Sequence, residues 1–119
     1  MDDVSTPDAE ALYLELARAF DAGDLAIVHT RVAPDVEYLV FGSTDLAGFY
    51  RGPGAATALS AKILSMTRGK VVGRETLYGD ERLLLTRTTL TNGVQLFLSQ
   101  EYGADRLLRR VSMMITGER

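Results

Sequence analysis

Apolar residues recur at helical spacing in the first part of the chain. Leu12, Leu16 and Phe20 lie four residues apart, which places them on one face of a helix. The preceding segment Ser5–Asp8 contains hydroxyl groups, a proline and an aspartate, and all three favour a helix start. Gly23 suits the end of that helix. The pattern therefore predicts a first helix that ends shortly before Asp24.

The spacing of the apolar residues then changes several times before the middle of the chain. A short second helix is predicted from Leu25, Val28 and Val32, which form its buried stripe. A strand is indicated next, because Val36, Tyr38 and Val40 stand at every second position and would share one face. The predicted order is a helix capped by Asp24 and ended by Pro34, a strand at Val36–Phe41, a loop at 42–50 and a helix between Pro53 and Gly69.

The second half of the chain is strand-like throughout, with β-branched and apolar residues between turn signals. The Asn92-Gly93 pair is the clearest of these signals, because a two-residue hairpin turn needs positive φ at both positions. The predicted strands are Lys70–Tyr78, Arg82–Thr91, Val94–Tyr102 and Arg106–Ile115. Helices followed by an antiparallel sheet make an α+β fold.

A two-residue turn at Asn92-Gly93 would pair Arg87 with Leu98 and fix which side chains share a face. The more apolar face is expected to be the concave, helix-covered one; it would carry Leu83, Leu85, Arg87, Thr89, Leu96, Leu98, Gln100 and Tyr102. Arg87 would then lie at the rim, pair with a carboxylate such as Glu15 or Asp45, or face a ligand oxygen together with Gln100. A ligand role would let Arg87 stabilise developing negative charge.

Composition narrows the possible functions. The chain has 119 residues, with 13 Lys and Arg against 16 Asp and Glu, a net charge of −3. One domain spanning 1–119 is expected, and the lack of a basic cluster argues against nucleic-acid binding. One histidine and no cysteine argue against a zinc site and thiolate chemistry. No apolar run is long enough for a membrane span, so we expect a cytoplasmic protein.

Four short motifs resemble the nuclear transport factor 2-like superfamily, in particular its SnoaL-like and ketosteroid-isomerase-like branch. The resemblance extends over nearly the whole chain, and the motifs are Ala22–Leu25, Ala33–Val36, Leu46–Gly48 and Tyr50–Gly52. It implies a cone-shaped α+β barrel, in which three N-terminal helices pack on a curved antiparallel sheet and enclose a pocket for a small apolar molecule. It also implies a homodimer that pairs through the outer face of the sheet, near Phe97 and Met114.

The residues that carry catalysis in that branch are largely replaced here. The catalytic carboxylate of ketosteroid isomerases falls on Val40, their helix-1 tyrosine falls on Leu16 with Tyr13 one turn away, and their protonated aspartate falls near Gln100. Limonene-epoxide-hydrolase-like members have an Arg-x-Asp, where this chain has Arg87-Thr88-Thr89. The sequence thus indicates a member with altered or absent acid–base chemistry.

Two further side chains are candidates for chemistry. His29 is the obvious base at neutral pH, although its place beside the buried stripe also suits a surface histidine. Tyr38 either packs in the core with its hydroxyl satisfied or donates to a ligand oxygen. The candidate catalytic residues are therefore Tyr38, Arg87, Gln100 and His29. The candidate substrate-binding residues are Tyr13, Leu16, Val40, Leu85, Leu98 and Met113.

Two functions remain open from the sequence. The first is a biosynthetic cyclase, isomerase or dehydratase acting on an apolar, carbonyl-containing molecule of polyketide or terpenoid type. The second is a ligand-binding or assembly protein that uses the same cavity without catalysis. No cofactor or metal is expected for either.

Overall fold

The part of the chain that the structure describes forms three helices on one side of a six-stranded sheet, which confirms the α+β architecture. The computed structural model describes residues 9–42, 45–67 and 71–117. The predicted helix start at Ser5–Asp8 and the predicted helix end at Gly69 lie outside these residues. The elements are α1 (Ala9–Asp21), α2 (Leu25–Thr30), β1 (Val32–Phe41), β2 (Gly48–Arg51), α3 (Pro53–Thr67), β3 (Val71–Gly79), β4 (Leu83–Leu90), β5 (Gln95–Tyr102) and β6 (Leu108–Thr116).

The sheet is open and mixed, with the strand order β2-β1-β6-β5-β4-β3. All neighbouring strands are antiparallel except β1 and β6, which run parallel. The helices cover one face, here called the inner face, and the opposite face is called the outer face. No helix among the described residues is long and apolar enough to cross a membrane.

The first strand is longer than the sequence indicates. Val32 begins β1 instead of closing the stripe of α2, and Pro34 lies inside the strand. Proline is tolerated because the register between β1 and β6 shifts between Val32 and Glu37, so its missing N–H interrupts no regular ladder. The end of the segment predicted as a loop (42–50) belongs to β2, whose Tyr50 lies opposite Tyr38.

The hairpin between β4 and β5 corrects the predicted register. The backbone N–H of Leu90 donates to Val94 at 2.9 Å, so the loop has three residues. Gly93 has φ +88, whereas Asn92 is outside the left-handed region and instead accepts from the Val94 N–H through its side chain. This is the three-residue loop with a left-handed last residue, not the two-residue turn.

A one-residue shift turns every side chain of a strand to the other face. Arg87 pairs with Phe97 rather than with Leu98. The predicted face of β5 is right, since Leu96 and Gln100 are buried on the inner side. The predicted face of β4 is wrong; the residues buried on the inner face are Leu84, Thr86, Thr88 and Leu90.

Candidate ligand-binding cavity

A cavity of about 120 Å³ lies between the helices and the inner face of the sheet. Its walls come from α1, α2, α3 and from five of the six strands. Most of the surface is aliphatic or aromatic. The lining residues are Tyr13, Leu16, Ala17, Phe20, Val28, Tyr38, Ser60, Ile63, Val71, Arg74, Thr88, Leu96, Leu98, Gln100, Leu108, Val111 and Met113.

Two polar side chains of the wall lie in one row across the sheet. Tyr38 on β1 is opposite Val111 on β6, and Val111 is opposite Gln100 on β5. Two strand spacings separate the backbones of Tyr38 and Gln100 by roughly 10 Å. Both side chains lie on the inner face, so they flank Val111 and can reach one bound molecule from two sides.

Gln100 is a buried polar residue of the cavity wall with one polar atom unpaired within the described part of the chain. Its side chain is 3% exposed. Its Oε1 accepts a hydrogen bond from the Tyr102 hydroxyl at 3.1 Å. Its Nε2 is buried and has no hydrogen-bond partner among the described residues. Because buried polar groups are almost always paired, an unpaired donor in a cavity wall is a candidate ligand contact.

The buried tyrosines remain uncharged donors. Burial raises the pKa of Tyr38 far above its usual range. Burial also raises the pKa of Tyr102, with smaller contributions from Tyr38 and Tyr13. These hydroxyls therefore stay protonated at neutral pH and supply hydrogen bonds without charge.

A charged pair lies at one side of the cavity. Arg74 on β3 lines the wall and binds Asp21, the last residue of α1, through two hydrogen bonds of 2.8 and 2.7 Å. Burial lowers the pKa of Arg74, but the hydrogen bond to Asp21 and the effect of Tyr13 outweigh it and leave the pKa raised. The pair joins the end of α1 to the edge strand β3 and neutralises the one arginine of the described lining.

Several sequence-predicted residues line this cavity, and others do not. Of the candidate residues, Tyr13, Leu16, Tyr38, Leu98, Gln100 and Met113 are in the wall. Val40 is buried opposite Met113 but is not among the lining residues. The roles of all these residues remain predictions.

Arg87 and Leu85 lie on the outer face because of the register shift. The Arg87 guanidinium forms an ion pair with Glu75, not with Glu15 or Asp45. Leu85 lines a groove of about 260 Å³ on the outer face. Neither side chain reaches the inner cavity, so the expectation that Arg87 lies on the concave face is wrong.

His29 is exposed on α2 and does not line the cavity. Its Nδ1 is 3.3 Å from the Thr57 hydroxyl, and that hydroxyl donates to the Pro53 carbonyl. The Thr57 oxygen then accepts from the imidazole, which is a contact between α2 and α3. The candidate general base is thus outside the cavity.

Sequence reasoning missed Tyr102 and Arg74. The sequence predicts the correct face for Tyr102, but nothing in it signals that the hydroxyl donates to Gln100. Arg74 occupies an edge strand between two register irregularities, where alternation does not predict which way a side chain points. The Asp21 carboxylate at the end of α1 is the sequence signal for the ion-pair partner of Arg74.

Comparison with known proteins identifies the fold. No protein-family model matches the sequence, and no curated protein does either. Solved structures match over most of the chain at low identity. An NTF2-like protein from Burkholderia xenovorans LB400 has 16% identity and a TM-score of 0.64, over 95% of this chain and 92% of that one.

Two further solved structures are similar to this chain. A SnoaL-like protein from Burkholderia thailandensis E264 has 18% identity and a TM-score of 0.66, over 93% of this chain and 100% of that one. A steroid delta-isomerase from Pseudomonas aeruginosa has 15% identity and a TM-score of 0.63, over 93% and 83%. The chain therefore has the nuclear transport factor 2-like fold.

Proposed function

We propose that the inner cavity binds a small, uncharged, largely apolar molecule that carries a carbonyl oxygen. The observation that supports this most is the buried Gln100 Nε2, a donor without a partner among the described residues. A ligand oxygen that accepts from Nε2 would remove the cost of an unpaired buried donor, which is about 1–3 kcal/mol. The Tyr38 hydroxyl, in the same row of the sheet, supplies a second neutral donor.

The size and charge of the cavity restrict the ligand. At about 120 Å³, it is smaller than the roughly 300–1,000 Å³ of typical ligand pockets, so a molecule of one ring is the expected scale. The Arg74 charge is already matched by Asp21. An anionic ligand would find no unpaired cation in the described wall, and an unpaired buried charge is costly.

Two neutral donors on one carbonyl oxygen also favour catalysis. They would stabilise negative charge on that oxygen as an enolate-like transition state forms. We propose a biosynthetic isomerase, cyclase or dehydratase acting on a polyketide-like or terpenoid-like substrate, with the proton moved by groups of the substrate itself. A structural neighbour described as a steroid delta-isomerase supports carbonyl chemistry in this fold, by analogy only.

A non-catalytic binding protein is the second candidate. The described cavity wall contains no Asp, Glu or His, so no side chain there has the ordinary pKa of a general base. The two candidates differ in proton exchange: a catalyst would speed deuterium uptake at the carbon next to the carbonyl of a bound ketone, and a carrier would not.

The experiment that tests the binding proposal compares cyclohex-2-enone with cyclohexene, which has the same ring without the oxygen. Calorimetric titration should give tighter binding of the enone to the wild-type protein. Gln100→Met should remove most of that difference and keep the affinity for cyclohexene. Equal affinity of the wild-type protein for both molecules would contradict the proposal.

We also propose that two copies pair through the outer face. This face exposes several large apolar side chains, among them Leu39, Phe41, Phe49 and Met114, with exposed fractions of 40–57%. Two of them, Phe41 and Met114, line the groove of about 260 Å³ together with Phe97. Exposed apolar surface of this kind favours an interface, and two-fold dimers are the commonest soluble oligomers.

A further inference from the structure

Gln100 and Tyr102 lie two residues apart on β5, and both side chains are buried on its inner side. The Tyr102 hydroxyl donates to Gln100 Oε1 at 3.1 Å, and it is the hydrogen bond that fixes this amide. Gln100 lines the cavity, whereas Tyr102 is not among the lining residues. The Oε1 and Nε2 atoms of the Gln100 amide therefore have different surroundings.

This arrangement decides which end of the amide is available. Oε1 is directed at Tyr102, which does not line the cavity, and Nε2 is the end left without a partner among the described residues. An amide that rotated freely could offer a ligand either a donor or an acceptor. With Oε1 held by Tyr102, it offers the donor.

We propose that Tyr102 is a positioning residue that turns the Gln100 amide so that the cavity presents an N–H donor, and that it thereby makes the site select a carbonyl over a hydroxyl. This inference rests on the proposed function and adds the residue that sets its specificity. Tyr102 does not touch the ligand; it acts through Gln100.

The selection follows from counting donors and acceptors. A ketone oxygen only accepts, so it can satisfy Gln100 Nε2 and the Tyr38 hydroxyl together. An alcohol oxygen can also accept from them, but its own proton then needs an acceptor. With Oε1 held at Tyr102, the amide offers none, so the alcohol proton depends on a hydroxyl of the wall, such as that of Ser60 or Thr88. The ketone needs no acceptor, and a buried donor left unpaired lowers affinity. Burial keeps the Tyr102 pKa raised, so its hydroxyl remains a donor at neutral pH.

The test compares Tyr102→Phe with Tyr50→Phe, using cyclohex-2-enone and cyclohex-2-enol as probes. Tyr50 is the matched control because its hydroxyl also makes one hydrogen bond, to the Leu46 carbonyl at 2.6 Å, and it is not in the cavity wall. We expect the wild-type protein and Tyr50→Phe to prefer the enone by about tenfold. In Tyr102→Phe the freed Oε1 can accept the alcohol proton, so the ratio should fall to about twofold or less.

A ligand-free measurement makes the positioning role testable by itself. The side-chain amide of Gln100 should have a high NMR order parameter in the wild-type protein and in Tyr50→Phe, and a lower one in Tyr102→Phe. An unchanged enone-to-enol ratio, or an equally ordered Gln100 amide in all three proteins, would overturn the inference. If the enone fails to bind the wild-type protein, the proposed function fails, and the order parameter alone decides whether Tyr102 positions Gln100.

Discussion

Arg87 and Glu75 lie directly opposite each other on β4 and β3, and their side chains form an ion pair on the outer face of the sheet. Their side chains are 37% and 54% exposed. An arginine that the hairpin sequence places on the concave face is therefore a surface residue. The reason is the extra residue in the loop at Thr91–Gly93.

Replacing Arg87 tests this placement. Arg87→Met should lower the free energy of unfolding by no more than about 1 kcal/mol, because exposed ion pairs contribute little. It should leave the affinity for cyclohex-2-enone unchanged, since the guanidinium does not reach the cavity. Urea unfolding and calorimetric titration check the two parts. A loss of enone binding in a folded Arg87→Met protein would show that Arg87 does act on the ligand.

The loop geometry gives a prediction with a matched control. Gly93 has φ +88, and a Cβ built there would meet no atom within 4 Å. Gly93→Ala should destabilise the protein by about 1–2 kcal/mol through backbone strain alone. Gly54, near the start of α3, is equally open but has no such φ, so Gly54→Ala should stabilise by about 0.4–1 kcal/mol.

Thermal and urea unfolding of the two glycine variants measure these changes. Opposite signs for Gly93→Ala and Gly54→Ala support the left-handed backbone conformation at Gly93. Equal effects of the two substitutions would contradict it, because the environment of both Cβ atoms is open.

The helices α1 and α3 and the inward residues of β1 and β5 could be predicted from the sequence because their signals are local. Val36, Tyr38 and Val40 occupy every second position of β1, and the side chains at these positions are largely apolar. The face of β4 could not be predicted, because Asn92-Gly93 suits both a two-residue turn and a longer loop. The choice depends on which face of β4 packs against the rest of the fold, and β4 has apolar residues on both faces.

The candidate site likewise combines features that the sequence predicts with features that it does not. Alternation along β1 predicts the inward position of Tyr38, and the more apolar face of β5 predicts that of Gln100, so both follow from the chain alone. The contact between Tyr102 and Gln100, and that between Arg74 and Asp21, depend on how side chains meet in space. Arg74 and Asp21 are 53 residues apart, and no spacing rule relates them.

The proposed dimer gives a prediction about the outer face. Met114→Lys places a charge among exposed apolar side chains and should shift the protein from dimer to monomer, because burying an unpaired charge is costly. Leu14→Lys is the control, since Leu14 is similarly exposed at 45% but lies on α1. Analytical ultracentrifugation at micromolar concentration measures both. A wild-type protein that sediments as a monomer would contradict the dimer.

Alkaline pH should destabilise the protein through its buried tyrosines. Burial raises the folded-state pKa of Tyr38 above the ordinary 10.0, and it does the same for Tyr102. Near neutral pH both states are protonated, so stability is independent of these groups. Above about pH 10 the unfolded state loses these protons first, so stability falls as pH rises.

Tyrosinate absorbance during an alkaline titration measures this effect. Part of the rise in tyrosinate absorbance should appear only as the protein unfolds. Tyr102→Phe should reduce this unfolding-dependent part of the rise. Complete ionisation of all five tyrosines in the folded protein near pH 10 would contradict the burial of these hydroxyls.

The most direct test of the central claim is the infrared carbonyl stretch of cyclohex-2-enone bound to the protein. Hydrogen bonds from Gln100 Nε2 and the Tyr38 hydroxyl should lower its frequency below that of the enone in an apolar solvent. In Gln100→Met the frequency should move back toward the apolar value while the ring remains bound. The same frequency in the wild-type protein and in Gln100→Met would contradict the claim that this buried amide recognises a carbonyl oxygen.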